Sequence, residues 1–207
     1  MSSISIIGLG GMGRAIGARA VEGGHAVEVI GRDPAKAGEL VAALGGGATA
    51  GKFGTAPAGD VVILAVPYAG AVPVVAQYGD ALAGKVIVDI TNPMKADASG
   101  LATPEDTSAA QEIAKAAPAS VHVVKAFNTV FGHILARGGA LDVLLAGDDA
   151  RAKASVSGFI SSLGLRPLDA GGPEMAHWLE GTGPLMVSLA RHGVGDFNFS
   201  LGVSSFS

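Results

Sequence analysis

Glycines with a fixed spacing near the start of the chain have the chemistry of a phosphate-binding turn. The residues of this G-x-G-x-x-G pattern are Gly8, Leu9, Gly10, Gly11, Met12 and Gly13. A strand-like run leads into the pattern and an alanine-rich helical stretch follows it, which favours a dinucleotide site over a plain glycine-rich turn. Gly8 permits the tight turn, Gly10 lets the backbone approach a pyrophosphate, and Gly13 lets the helix pack closely on the sheet. Free N–H groups near Gly11 and Met12 then face the anion.

The end of the second predicted strand decides between NAD and NADP. NAD enzymes usually carry an acidic residue there for the ribose 2′-hydroxyl, whereas this strand ends in Gly31 and Arg32. Gly31 has no carboxylate to repel a 2′-phosphate, Arg32 can bond that phosphate, and Lys36 adds a second positive charge one helical turn later. Asp33 is a rival ribose ligand, although Asp before Pro34 is more typical of a helix N-cap. The sequence therefore predicts NADP(H).

Strand ends further along the chain supply the remaining candidates, because ligands of open parallel sheets bind outside the carboxyl ends of the strands. The residues at these ends that we expect to contact the cofactor are Ala65, Val66, Pro67, Asn92, Phe127 and Asn128. Phe127 could form an apolar wall, and each asparagine could bond a ligand or serve only as a turn or cap residue. Lys125 could be a buried amine with a functional role, although a lysine paired with a carboxylate is the commoner case.

The sequence offers no evident catalytic acid, base or nucleophile. Its five histidines show no metal-ligand spacing, and the chain contains no cysteine. No Ser/His/Asp arrangement and no pair of carboxylates at a strand end is apparent. We therefore predict no metal site and assign no catalytic residue.

Composition limits the range of partners. The net charge of −4 argues against nucleic acid and anionic membranes as partners, because both require a cationic surface. No apolar run reaches the ~18 residues of a membrane span. Met1, Ser2 and Ser3 lead into the first strand without a basic leader or a cleavable apolar segment, so nothing indicates export, and the expected cofactor predicts a cytoplasmic protein.

Strand-like and helix-like stretches alternate along the chain. The apolar runs at 60–66 and 85–90 are typical of strands buried on both faces, and the helices between strands imply crossover connections. We therefore predict an α/β, doubly wound Rossmann fold, with a mostly parallel sheet and helices on both faces. The domain is expected to be a single dinucleotide-binding unit over residues 1–207.

The C-terminal region is predicted to reach a partner subunit. One helix is expected over about 105–117, and a closing helix is expected over about 173–192. Residues 196–203 alternate apolar and polar side chains, as an edge strand does. That strand could fold onto its own domain or cross to a partner. Residues from about 173 to 207 are therefore expected at the interface of a homodimer.

The chain resembles the deazaflavin-dependent NADP oxidoreductases, also called NADPH:F420 oxidoreductases, over nearly its full length. The matching segments are GLGGMG at 8–13, Gly31-Arg32 with Lys36, AVPY at 65–68, GDD at 147–149 and, most specifically, GLRPLDAG at 164–171. The resemblance implies NADPH binding through residues 9–12, Arg32 and Lys36, coenzyme F420 over the nicotinamide, and dimers joined by C-terminal helices. KAFNT at 125–129 is more similar to the related ferric and cupric reductases, which pass electrons to a flavin.

These observations predict an NADPH-dependent oxidoreductase that exchanges hydride with coenzyme F420 or a flavin (FMN or FAD). Transfer between two planar rings depends on stacking and orientation, so it is compatible with the missing acid and base. The alternatives are a non-catalytic NADPH-binding sensor or regulatory protein, and a ferric or cupric reductase acting through a bound flavin. A β-hydroxyacid or imine reductase is disfavoured because those folds add a long helical second domain.

Overall fold

The computed structural model describes residues 3–206; Met1, Ser2 and Ser207, which fall within the predicted domain, lie outside the described residues. One sheet has its strands in the order β3-β2-β1-β4-β5-β6-β7-β8. The strands are β1 (Ser3–Ile7), β2 (Ala26–Gly31), β3 (Thr49–Lys52), β4 (Val61–Leu64), β5 (Val86–Asp89), β6 (His122–Ala126), β7 (Asp142–Gly147) and β8 (Arg166–Asp169). Within 3–206, every neighbouring pair is parallel except β6 and β7. The predicted α/β doubly wound fold is confirmed.

Helices connect most of these strands. They are α1 (Gly11–Glu22), α2 (Pro34–Leu44), α3 (Tyr68–Tyr78), α4 (Ala109–Ala116), α5 (Gly132–Ala136), α6 (Ala150–Ser162) and α7 (Met175–Ser188). A short 3₁₀ segment, Gly79–Leu82, follows α3, and a π-helical segment, Leu189–Gly193, follows α7. None of the helices in the described part of the chain is long and apolar enough to cross a membrane.

The apolar core forms two layers, one on each face of the sheet. In β4, Val61 and Ile63 belong to the layer with residues of α1, α2 and α6, whereas Val62 and Leu64 belong to the layer with residues of α3, α4 and α7. This two-sided burial explains why β4 is a continuous apolar run rather than an alternating one. The order of the strands reverses between β1 and β4, which places a crevice at their carboxyl ends.

The helix predicted over 105–117 begins later than expected. Ser108 is its N-cap, with the side-chain oxygen accepting a hydrogen bond from the Gln111 N–H at 3.2 Å. A turn from Pro104 to Thr107 precedes the cap. The competing start at Glu105 fails because this turn and the serine cap satisfy the backbone first. The closing helix likewise begins at Met175 rather than at Pro173, and the short α5 was not predicted.

The C-terminal tail, residues 196–206, is not the predicted edge strand. Its backbone is held by side chains instead: the Val203 N–H donates to Asp142 at 2.7 Å. Phe197 and Phe199 each lie edge-on to the Phe131 ring, with centroids 5.5 Å apart. The aromatic positions of the alternating pattern are thus used for packing on the tail's own chain, without a β-ladder.

Candidate dinucleotide-binding site

The turn between β1 and α1 requires glycine at two positions. Gly8 has a φ of 129°, and a Cβ there would overlap the carbonyl oxygen of Ala65. A Cβ on Gly13 would lie 2.5 Å from the carbonyl oxygen of Gly8, far inside van der Waals contact. The turn therefore passes directly over the end of β4, and α1 approaches it as closely as the backbone allows.

The N-terminus of α1 opens into free space. Gly10 is the N-cap without a side-chain hydrogen bond, and the first turn has no acidic residue. A Cβ on Gly10 or Gly11 would meet nothing within 4 Å. The first intrahelical donor is the N–H of Arg14, which bonds the Gly10 carbonyl at 3.0 Å. The N–H groups before it have no partner within the helix and are available to an anion.

A cavity of about 470 Å³ lies at the reversal of strand order and joins the turn to the ends of β2 and β4. The predicted residues that line it are Gly8, Leu9, Gly10, Gly31, Arg32, Ala65, Val66 and Pro67. Asp33, Phe53, Gly70 and Val74 also line it. The predicted residues outside this lining are Gly11, Met12, Gly13, Lys36, Asn92, Phe127 and Asn128.

Arg32 and Phe53 form one end of the cavity. The guanidinium carbon of Arg32 lies 5.5 Å from the centroid of the Phe53 ring, within cation–π range. The Phe53 ring in turn lies edge-on to Tyr78 at 5.4 Å. Sequence reasoning missed Phe53, although it directly follows the short strand that pairs Gly31 with Lys52. That register was the signal that could have found it.

The second predicted cation, Lys36, is arranged differently. Asp33 caps α2 by accepting from the Ala35 and Lys36 N–H groups at 3.0 and 3.3 Å. The Lys36 ammonium lies 3.9 Å from the same carboxylate and is 71% exposed. Its contact with a 2′-phosphate stays a prediction.

Asn92 and Asn128 join the ends of β5 and β6. The Asn92 amide donates to the Asn128 carbonyl at 2.8 Å, and the Asn128 amide donates to the Asn92 side chain at 3.0 Å and to the Leu179 carbonyl at 2.8 Å. The side-chain oxygen of Asn128 is buried and has no hydrogen-bond partner among residues 3–206. The pair therefore fixes both loops to α7.

The expectation that Phe127 forms an apolar wall needs correction. Its side chain is 0% exposed and lies in the core layer, where its ring contacts Phe159 with centroids 6.4 Å apart. Its φ of 60° is unusual for a residue with a side chain. A ring enclosed in this way cannot line an open site.

Lys125 is the centre of a fully buried ionic cluster. Its ammonium lies 2.8 Å from Asp89 and 2.8 Å from Glu180, and all three side chains are 0% exposed. It also donates to the Thr91 carbonyl at 2.6 Å. The commoner alternative, a lysine paired with carboxylates, is what the structure contains.

Glu180 was not identified from the sequence because it lies on α7, remote along the chain from Lys125. Its carboxylate accepts from the Ala109 and Ala110 N–H groups at the start of α4, at 3.0 and 3.3 Å. Burial raises the pKa of the Glu180 carboxyl, while the Lys125 ammonium opposes the rise. Glu180 thereby ties α4 and α7 to the sheet. No group of three or more His, Asp or Glu side chains in residues 3–206 could hold a metal ion.

Comparison with known proteins shows what the chain is similar to. Residues 3–93 match the family described as NADP oxidoreductase, coenzyme F420-dependent. The chain is 33% identical over 140 residues to the F420-dependent NADP reductase of Methanocaldococcus jannaschii, covering 63% of this chain and 62% of the relative. The crystal structure of a candidate F420-dependent NADP reductase of Arthrobacter sp. FB24 superposes with a TM-score of 0.86 at 26% identity, covering 99% of this chain and 100% of that one. The chain is similar to the F420-dependent NADP oxidoreductases.

The chain is also similar to a metalloreductase. It is 31% identical over 180 residues to Metalloreductase STEAP3 of Rattus norvegicus, covering 86% of this chain and 35% of that protein. The matches cover 35% of STEAP3 and 62% of the Methanocaldococcus jannaschii reductase, so the chain spans less than two thirds of the length of either relative. The resemblance predicted from the sequence, including its metalloreductase side, is confirmed.

Proposed function

We propose that the chain is an NADPH-dependent oxidoreductase that exchanges hydride with a planar redox partner, coenzyme F420 or a flavin. The observation that carries the proposal is the cavity in which the free N-terminus of α1 and the Arg32 guanidinium lie at the ends of neighbouring strands. A dinucleotide with a 2′-phosphate has negative groups for both of these positive sites.

The open space at Gly10 tests the fit of this cofactor. Gly8 and Gly13 are glycines because protein atoms leave no room for a Cβ, but no atom of the described residues occupies the space that a Cβ on Gly10 would take. Close approach of a pyrophosphate to the backbone at Gly10 would explain why this position is a glycine. When bound, NADPH supplies a hydride from its nicotinamide ring.

The chain's own residues bind and orient rather than transfer protons. Lys125 and Asp89 are fully buried and bonded to each other. Burial and a hydrogen bond to Glu112 raise the pKa of Tyr68 to about 12, so its phenol stays protonated. These pairings support direct transfer between stacked rings, in which the protein contributes position.

The names of the relatives support two acceptors. The relative from Methanocaldococcus jannaschii is named an F420-dependent NADP reductase, which favours coenzyme F420. STEAP3 is named a metalloreductase and its match covers 86% of this chain, which favours a ferric or cupric reductase acting through a flavin as the second candidate.

Isotope transfer tests the first proposal. NADPH deuterated at the transferred position is incubated anaerobically with the protein and with F420, FMN or FAD. We expect the label in reduced F420, where the new bond is to carbon and does not exchange with water. Tight binding of NADPH without reduction of any acceptor would instead indicate a sensor, and reduction of a flavin followed by reduction of added ferric or cupric ions would favour the second candidate.

The variant Gly10→Asp separates a loss of cofactor binding from a loss of folding. Aspartate is a favoured N-cap, so the variant should be at least as stable to heat as the unchanged protein. Its carboxylate fills the open space and repels phosphate, so NADPH affinity should fall about tenfold or more. A variant that binds NADPH normally would show that the cofactor does not lie at this turn.

A further inference from the structure

A second cavity lies on the other side of Arg32. It has a volume of about 470 Å³ and shares Gly31, Arg32 and Phe53 with the first cavity. Two cationic side chains line it, Arg32 and Lys52, and its lining includes no carboxylate. An anionic group that contacts Arg32 from the first cavity therefore has a second cation within the adjoining space.

Strand register brings the two cations together. Gly31 and Lys52 are opposite each other at the last position of the parallel β2–β3 pair. Arg32 follows Gly31 and Phe53 follows Lys52, and these two side chains are in contact. The position of Lys52 beside Arg32 is thus set by the sheet and not by a flexible loop.

The charge of Lys52 is uncommitted, unlike that of Lys36. Among the residues that the structure describes, no carboxylate lies within ion-pair distance of Lys52, whereas Lys36 lies 3.9 Å from Asp33. Asp33 itself lines the first cavity but not the second. Binding of a phosphate by Lys36 competes with this pairing, and binding by Lys52 does not.

We infer that Lys52 is a specificity-determining residue that contacts the 2′-phosphate of NADPH together with Arg32, ahead of Lys36. The inference rests on the proposed function and deepens it. It follows that the preference for NADPH over NADH depends on the β2–β3 edge of the sheet as well as on the start of α2.

Calorimetric titration of NADPH and NADH into charge-neutral variants tests the inference. Lys52→Gln should lose about five- to tenfold in NADPH affinity and nothing in NADH affinity. Lys36→Gln should lose less NADPH affinity than Lys52→Gln. Lys115→Gln, an exposed change of equal charge on α4, controls for net charge and should not alter either affinity. Lys52→Arg keeps the positive charge and should bind NADPH as the unchanged protein does.

Adenosine 2′,5′-bisphosphate and adenosine 5′-monophosphate separate the phosphate from the rest of the cofactor. The bisphosphate should bind Lys52→Gln more weakly than the unchanged protein, and the monophosphate should bind both equally. If the unchanged protein prefers NADPH while Lys52→Gln binds it within twofold of normal, the inference is overturned and the proposed function stands. If the unchanged protein binds neither nucleotide, both are overturned.

Discussion

Among the side chains that line the cavity, Arg32 has the clearest proposed role, which is to bind the 2′-phosphate. It is exposed, lies over the Phe53 ring, and has no ion-pair partner among residues 3–206. Contact with an aromatic face limits the orientations of the guanidinium without neutralising it. The residue is therefore positioned before a ligand arrives, which reduces the entropy lost on binding.

We predict that Arg32→Ala raises the KM for NADPH about ten- to hundredfold, because a charge-assisted contact is lost. The 2′-phosphate is remote from the reacting carbon of the nicotinamide, so kcat should hardly change. Steady-state kinetics with both nucleotides measure this. Arg151→Ala, an exposed arginine on α6, should behave as the unchanged protein, and an unaltered NADPH/NADH preference in Arg32→Ala would refute the assignment.

Lys125→Met should lower the free energy of unfolding by about 3–5 kcal/mol, because Asp89 and Glu180 would remain buried without their cation. Lys153→Met removes a partly exposed pair with Asp169 and should cost no more than about 1 kcal/mol. Urea denaturation distinguishes the two. Similar costs for both substitutions would mean that the buried cluster is not a stabilising junction.

The glycines show at the level of elements how closely α1 and the sheet approach. Gly13 is limited by the Gly8 carbonyl, whereas Gly38, on the exposed face of α2, has open space around it. The same substitution at these two positions isolates the effect of contact, because both lie inside helices.

Gly13→Ala should destabilise the fold by about 1–3 kcal/mol despite alanine's better helix propensity, since α1 must move away from the turn. Gly38→Ala should stabilise it by about 0.5–1 kcal/mol. Thermal unfolding checks the signs. A gain of stability at both positions would contradict the close approach of α1.

The sequence patterns predicted which strands and helices occur more accurately than they predicted where those elements begin and end. The apolar runs at 60–66 and 85–90 correspond to β4 and β5, because burial on both faces makes a strand apolar throughout. The start of α4 depends on competition between Glu105 and the Ser108 cap, which a local pattern does not decide. The prediction of an edge strand in the tail was wrong because period-two alternation shows where the apolar side chains lie, but not whether the edge of a sheet is available for pairing.

Site residues were predictable where a motif fixes the backbone. The turn from Gly8 to Gly13 and the Gly31-Arg32 step have local signatures. Phe53 and Glu180 have none, since each acquires its role from a residue that is distant along the chain. Phe127 was misjudged because strand position indicates which end of the sheet is near, but not the burial of the ring.

The tail is secured to the edge of the sheet by a carboxylate. Arg166 donates to Asp142 and to the Val203 carbonyl. The Arg166 guanidinium and the Val203 N–H lower the pKa of the Asp142 carboxyl below its ordinary value. A depressed pKa stabilises the fold above the unfolded-state pKa, and that contribution is lost as pH falls through the folded-state pKa.

We therefore expect the tail to be cut more readily by an acid-active protease as the pH drops below about 4, the usual range for aspartate. Asp142→Asn should be cut readily at neutral pH by a protease that is active there, and its cleavage by the acid-active protease should increase less as the pH falls. Asp148→Asn, an exposed change of equal charge, is the control. Equal rates of cleavage in all three proteins would exclude a clamping role for Asp142.

The whole molecule exposes apolar side chains on α7. Trp178 is 66% exposed and Leu185 is 52% exposed, and their spacing of two helical turns places them on one face. Both lie in the region from 173 to 207 that the sequence assigns to a dimer interface. The tail contacts its own chain, so the helix face is the stronger candidate for that interface.

We predict that the full chain is a dimer at micromolar concentration and that Leu185→Lys dissociates it, because a charge would be buried against the partner. Light scattering measures the mass. Ala76→Lys, on the exposed face of α3, should leave the dimer intact. A monomeric unchanged protein would show the prediction to be wrong.

The contact between Gly31 and Leu9 restricts how this chain could change its cofactor. A Cβ on Gly31 would overlap the Leu9 side chain, so an acidic residue at position 31 requires the Leu9 side chain to move or to be shortened. A change toward NADH through an acidic residue at position 31 therefore also involves Leu9, which itself lines the cavity. We expect the effects of substitutions at these two positions on nucleotide preference to depend on each other.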